Sequence, residues 1–235
     1  MSKNSKRAGR SRPATPKPYP REKRAGPSGT QIGIASVVAI LVVAAFIWLG
    51  NTQPVTPAPI SSSMRLSGTV MGEANAPVTI EEWADFQCPA CRAFAVNTEP
   101  QLRAAYIATG KVRFIYQNFA FLGVESDWAA QAAECAAAEG RFVDYHDRLY
   151  AAQGGENSGA FSKANLKKIG VDLGLGGQFA TCVDSGAYAA KVRDSRSAGQ
   201  AKGVQATPTL FINGTKVEGM LTFDQLRAKV DPLLK

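Results

Sequence analysis

The chain has 235 residues, 45% of them apolar, which is enough for one domain with a real core, and it carries a formal charge of +8. Nine Lys/Arg and a single acid, Glu22, lie in residues 1–30, so the rest of the chain balances 18 basic against 18 acidic residues. A neutral body offers no electrostatic footprint to a nucleic acid. Four cysteines and one histidine, His146, argue against a zinc site, because only Cys88 and Cys91 stand close together.

Residues 1–30 are rich in Lys, Arg, Ser, Pro and Gly and lack large apolar side chains, the composition of a disordered basic tail. No charge occurs from Ala25 to Met64, and Ile32 to Leu49 is an apolar run of 18 residues. At about 1.5 Å per residue this spans roughly 27 Å, close to the hydrocarbon thickness of a bilayer. A buried core helix or a cleaved signal peptide could share that composition. The first does not suit a stretch apolar on every face behind a basic tail, and the second lacks an Ala-x-Ala-like site after Leu49. The expectation is therefore one transmembrane helix at 31–50, with the basic tail cytoplasmic and everything after Gly50 extracytoplasmic. Residues 51–64, with Pro54, Pro57 and Pro59, read as an extended tether.

The folded domain is expected over residues 65–235. Pro77 to Trp83 reads as a strand with proline at its first position. Cys88 to about Thr109 reads as a helix closed by Gly110, with a kink or break at Pro100. Lys111 to Asn118 alternates as a second strand. From about Val124 to Ala201 the pattern is Ala-rich and helical with no good strand. Thr209 to Asn213, Gly214 and Lys216 to Glu218 read as a hairpin around Asn-Gly, and Thr222 to Gln225 opens a last helix with capping-box spacing.

The chemistry concentrates in Cys88-Pro89-Ala90-Cys91, set between a strand and a helix. The first cysteine falls at the helix N-terminus, where unpaired N–H groups and the dipole favour negative charge, so Cys88 is the expected thiolate. Cys91, nearly one turn on, shares its face and can resolve a mixed disulfide. Pro89 suits the first turn because its missing N–H has no helical partner. Taken alone, the pair also suits a structural or metal-binding role. Pro208, in Ala206-Thr207-Pro208-Thr209, reads by itself as an ordinary turn before a strand.

Together, the Cys-Pro-x-Cys helix start and the segment Gly203 to Gly214 (Gly-Val-x-x-Thr-Pro-Thr-x-Phe-x-Asn-Gly) resemble the DsbA-like branch of the thioredoxin superfamily. The likeness runs from about Asn75 to Lys235. It implies an α/β thioredoxin-like fold with a helical insertion over about 120–201, here preceded by the membrane helix. It also implies a cis Pro208 facing the Cys88 sulfur, a Thr207 backbone that pairs with an extended client, and Pro89 and Ala90 beside the bound chain. Glu82, six residues before Cys88, matches the acid that the family holds beneath the disulfide as a proton relay. A solvated strand carboxylate is the plainer reading, and Glu81 would take the role if the strand phase were shifted by one. Asp85 and Gln87 lie on the approach to the site. The prototype has histidine where Ala90 stands, which removes one source of thiolate stabilisation.

Cys135 and Cys182 both fall in the helical block. A structural disulfide is the first expectation in an oxidising compartment, with two buried thiols or a second redox pair as the alternatives. His146 is expected to be a capped or surface-bonded histidine, and Trp83, Trp128, Phe142 and Tyr145 to be packing residues. The whole implies an extracytoplasmic thiol-disulfide oxidase that needs no bound cofactor. It would act on reduced exported proteins, be re-oxidised by a quinone-linked membrane partner of the DsbB or vitamin-K-epoxide-reductase-like type, and work as a monomer. A tethered reductase or isomerase, or a non-catalytic chaperone-like module, are the alternatives.

Overall fold

The computed structural model describes residues 66–234. The basic tail, the expected membrane span at 31–50 and the Pro/Ser-rich tether lie outside the described residues, and among the described residues no helix is long and apolar enough to cross a membrane.

A six-stranded mixed sheet forms the centre, in the order β1-β2-β4-β3-β5-β6. Its middle pair is parallel: β3 (Val78–Ala84) lies beside β4 (Val112–Asn118), with Glu82 opposite Tyr116. The chain between them forms α1 (Pro89–Asn97), α2 (Glu99–Leu102) and a π-helical turn at Arg103–Ile107. The interruption expected at Pro100 falls at Thr98, which leaves Pro100 in the first turn of α2, where no helical N–H is lost. The π-turn carries no sequence signal of its own.

Strand β5 (Thr209–Ile212) runs antiparallel to β3, and β6 (Thr215–Glu218) closes the edge. The turn between them holds Asn213 at φ 45° and Gly214 at φ 79°, both in the left-handed region that an Asn-Gly hairpin requires. On the other side, β1 (Leu66–Ser67) and β2 (Val70–Met71) make a small antiparallel extension onto β4. Two-residue strands are too short to show a periodicity, so the sequence does not announce them.

The expected helical block consists of α3 (Val124–Ala138), α4 (Phe142–Ala151), α5 (Lys163–Asp172), α6 (Gly177–Ser185) and α7 (Ala189–Ala201). It contains no strand. The chain ends in α8 (Phe223–Val230), whose capping box joins the Thr222 hydroxyl to the Gln225 N–H and the Gln225 side chain to the Thr222 N–H.

Alternation along β3 and β4 sends Val78, Ile80, Val112, Phe114 and Tyr116 into the main core. Trp83, Phe119, Val204 and Phe211 make a smaller cluster, against which α7 packs at Gly199. A Cβ at Gly199 would lie 2.7 Å from both Phe119 and Trp83, so only glycine lets the helix approach this closely. The sulfur atoms of Cys135 on α3 and Cys182 on α6 are bonded.

Candidate active site

The Cys-x-x-Cys pair sits where strand β3 ends and α1 begins. Cys88 is the N-cap residue, with φ −74° and ψ 121°, and Pro89 is the first helical residue, as its missing N–H permits. Cys88 is 8% exposed and Cys91 is fully buried, so only the first sulfur is open to attack. Both are free thiols. Pro89 is exposed and Ala90 half-buried, so this turn stands at the surface.

The Thr207–Pro208 peptide is cis. Immediately before β5, it places the Thr207 carbonyl 3.3 Å from Cys88 Sγ, which donates to it as a thiol. The two segments that carry the resemblance, 119 residues apart, meet at this contact.

The two thiols differ in acidity. Cys88 is lowered from 9.0 to about 6. The Cys91 thiol contributes most, against the opposing effect of burial, followed by the Thr207 side chain and the backbone N–H groups of Cys91 and Ala90. These last two are the unpaired donors of the first helical turn. Cys91 is pushed well up, chiefly by burial, then by its hydrogen bond to Cys88 and by Glu82. An acidic, reachable thiol beside a buried, reluctant one lets the first attack or leave while the second waits as a resolving thiol.

Glu82 points inward beneath this pair and is 1% exposed, with no hydrogen-bond partner at either carboxylate oxygen. Burial, and after it the charge of Glu99, raise its pKa well above the usual carboxylate range, with Arg103 opposing. Glu81 faces the other way and pairs with Lys202 at 2.6 Å. Asp85 is spent on structure: Oδ1 accepts from the Gln87 N–H and the Ser126 hydroxyl, and Oδ2 from the N–H groups of Phe121 and Leu122.

Two constellations around the site go beyond what the sequence led us to expect. The first is a strap from the helical block. Gln153, just past α4, donates from Nε2 to the Phe86 carbonyl at 2.7 Å and to the Cys88 carbonyl at 3.1 Å. The Asn157 N–H donates to Gln87 Oε1 at 2.6 Å, and the Asn157 side chain donates to the Leu122 carbonyl at 2.8 Å. Glu125 holds the far end of this loop through the N–H groups of Gly159 and Phe161. Gln87, directly before Cys88, is thus tied into the strap. No motif marks Gln153 or Asn157, because their partners lie far away in sequence.

The second is a buried charged cluster. Arg103 meets Glu99 at 2.6 Å and Asp147 at 2.7 Å, and His146 meets Asp147 at 2.9 Å. His146 is fully buried, not capped or surface-bonded as expected, and the rings of Phe86, Tyr116, Phe142 and Tyr150 surround it with centroids 4.9–5.8 Å away. The helix α4 turns His146 inward together with Phe142 and Tyr150, positions four residues to either side. The i, i+4 spacing of Glu99 and Arg103 was the one available signal of this cluster.

Comparison with known proteins agrees with this construction. A family model described as thioredoxin matches residues 65–232. A protein named "Probable disulfide bond formation protein D" from Bacillus anthracis is 32% identical over 175 residues, covering 70% of this chain and 77% of that one. The crystal structure of oxidised BdbD from Bacillus subtilis superposes with a TM-score of 0.65 at 26% identity, covering 72% of this chain and 97% of that one. The reduced form of the disulfide bond oxidoreductase DsbG from Mycobacterium tuberculosis gives 0.61 at 28%, covering 76% and 89%. With its mixed sheet, helical block and Cys-Pro-x-Cys turn facing Thr207-Pro208, the chain belongs to the thioredoxin family, as a thiol-disulfide oxidoreductase of the DsbA-like branch.

Proposed function

We propose that this protein is an oxidase that introduces disulfides into exported proteins through Cys88 and Cys91. One observation carries the direction: the Cys88 thiol is lowered to about 6 while Cys91 is pushed up. A thiolate held this way stabilises the reduced enzyme, so its disulfide gives up oxidising equivalents readily.

In the proposed cycle, a client thiolate attacks the Cys88 sulfur of the Cys88–Cys91 disulfide, and Cys91 leaves as a thiolate. Glu82, beneath the pair, supplies a proton to the Cys91 sulfur. A second client thiolate then attacks the client sulfur of the mixed disulfide, Cys88 leaves as the stable thiolate, and the client departs oxidised. Thr207 lies beside this sulfur, where its backbone pairs with an extended client segment, and Pro208, Pro89 and Ala90 border the same contact. The disulfide between Cys135 and Cys182 has a structural role in the helical block.

The reduced enzyme returns to the disulfide by passing two electrons to a quinone-linked membrane partner of the DsbB or vitamin-K-epoxide-reductase-like type. The apolar run Ile32 to Leu49 supports a single-pass anchor at 31–50, with tail 1–30 in the cytoplasm, tether 51–64 and catalytic domain 65–235 outside, all on a monomer. Sharing a bilayer raises the local concentration of enzyme and partner.

Ala90 favours a second reading. Its side chain brings no donor to the sulfur, and a weaker oxidant could serve as a reductase or isomerase. Trapping thiols in intact cells with an alkylating reagent separates the two: Cys88 and Cys91 are expected mainly oxidised, and a mainly reduced pair would overturn the oxidase reading.

A further inference from the structure

We infer that Gln153 is a positioning residue for the reaction, acting through the backbone on either side of Cys88 to hold its sulfur at the start of α1, facing the Thr207 carbonyl. The inference rests on the reading of Cys88 as the attacking and leaving sulfur. As an N-cap, Cys88 turns its carbonyl into the helix, where it accepts the Arg92 N–H at 3.1 Å. The Cys88 side chain makes no cap bond to the helix; its sulfur donates to the Thr207 carbonyl at 3.3 Å, and it stays beside the first-turn N–H groups of Ala90 and Cys91 only while that peptide keeps its orientation. The residues ahead of it form a loop, in which the Cys88 N–H donates to the Asp85 carbonyl.

Gln153 adds a restraint that comes from the helical block. One amide group donates both to the Phe86 carbonyl and to the Cys88 carbonyl, so the peptides flanking Gln87 and Cys88 are fixed by a single side chain. Its own backbone is anchored by the turn that ends α4, where the Gln153 N–H donates to the Tyr150 carbonyl. The same Tyr150 carbonyl accepts from Arg92 Nε at 3.0 Å, which ties α1 to α4 one turn past Cys88. The partial positive charge of the Gln153 amide also lies on the cap side of the helix, where it favours a thiolate. Neither carbonyl can be served by a side chain that lacks a donor.

The acidity of the nucleophile therefore depends on the helical block being docked, although the sulfur's hydrogen bond to the Thr207 carbonyl lies outside that block. A client or redox partner that shifts the Gln153–Phe161 loop would change the reactivity of Cys88 from outside the Cys-x-x-Cys turn.

The test titrates the Cys88 thiolate by its far-ultraviolet absorbance in the reduced protein, with Cys88→Ser as the blank, and follows exchange with glutathione disulfide at mildly acidic pH. Gln153→Leu removes the donors at similar size, and Gln153→Glu keeps the shape but replaces the amide group by an acceptor. We expect the Cys88 titration to move up by about one pH unit in both, more in Gln153→Glu, with exchange several-fold slower. A residue that only supported the fold would lower the melting temperature and leave the titration in place. Wild-type acidity in a folded Gln153→Leu protein would overturn the inference, as would a shift confined to Gln153→Glu, whose added charge raises a nearby thiol by itself; if Gln153→Leu does not fold, Gln153→Met, equally without donors, decides in its place. Should wild-type Cys88 itself titrate like a free thiol, the failure belongs to the proposed function and not to Gln153.

Discussion

Glu82 and Glu81 are neighbours of identical chemistry with opposite fates, because consecutive side chains of a strand face opposite sides of the sheet. Glu82 enters the core beneath the cysteines without a partner, while Glu81 reaches Lys202. A buried carboxyl with no hydrogen bond destabilises the fold, the more so when ionised. Replacing Glu82 with leucine should therefore raise stability at neutral pH by roughly 1–3 kcal/mol while slowing the step in which Cys91 takes or gives up a proton. Thermal melts and rapid-mixing kinetics on the same variant check both halves, and a fall in melting temperature would mean that the carboxyl has a partner it needs. At this scale the cysteines, Pro208 and Glu82 could be picked out from sequence. Gln153 and Asn157 could not, because a side chain that serves distant backbone carbonyls leaves no pattern. His146, expected to be capped or surface-bonded, is buried for a related reason: Phe86 and Tyr116, which close over it, come from other parts of the chain.

Among the elements, those with strong local signals matched their expected places. The strands Val78–Ala84 and Val112–Asn118, the Asn-Gly hairpin and the capping box at Thr222 all follow from alternation, turn chemistry and side-chain reach over a few residues. The β1–β2 extension and the π-turn at Arg103–Ile107 were not foreseen. Both are stabilised by what they pack on rather than by their own residues. The helical block is a different case, since Ala-rich helices announce themselves but not their arrangement. The bond between Cys135 and Cys182 closes a loop of sequence separation 47, linking α3 to α6. Changing both to alanine should cost up to about 4 kcal/mol on loop entropy. Denaturant melts check this, and the Cys88 titration should be unaffected. An unchanged midpoint would show that packing alone orders these helices.

For the molecule as a whole, the acidity of Cys88 links stability to pH. In the unfolded chain this thiol loses its proton near ~8.5, and in the folded reduced protein at about 6. Between these values the unfolded state holds the extra proton, so the stability of the reduced form rises with pH above about 6 and is lost as pH falls through it. Cys91, pushed up, opposes this only where an ordinary thiol would ionise, at the top of the window. The oxidised form has no such thiol. Between about pH 6 and ~8 the reduced protein should gain on the oxidised one, by no more than ~1–2 kcal/mol after the screening of a sulfur that lies partly open to solvent, best measured in the Glu82→Leu background, which removes the nearby carboxyl. Parallel melting curves for the two forms across that window would contradict the lowered thiol.

What the sequence determined by itself was whatever is encoded locally: the order of strands and helices, the cysteine at a helix start, the Thr-Pro turn and the charge confined to one end. Tertiary structure alone decided which carbonyl faces the sulfur, which glutamate is buried and which helix-block side chains grip the active-site loop. The physical reason is range. Backbone propensity and alternation act over a few residues, whereas acidity and burial are set by atoms that come together from segments far apart in the chain, as Cys88 and Thr207 do across 119 residues.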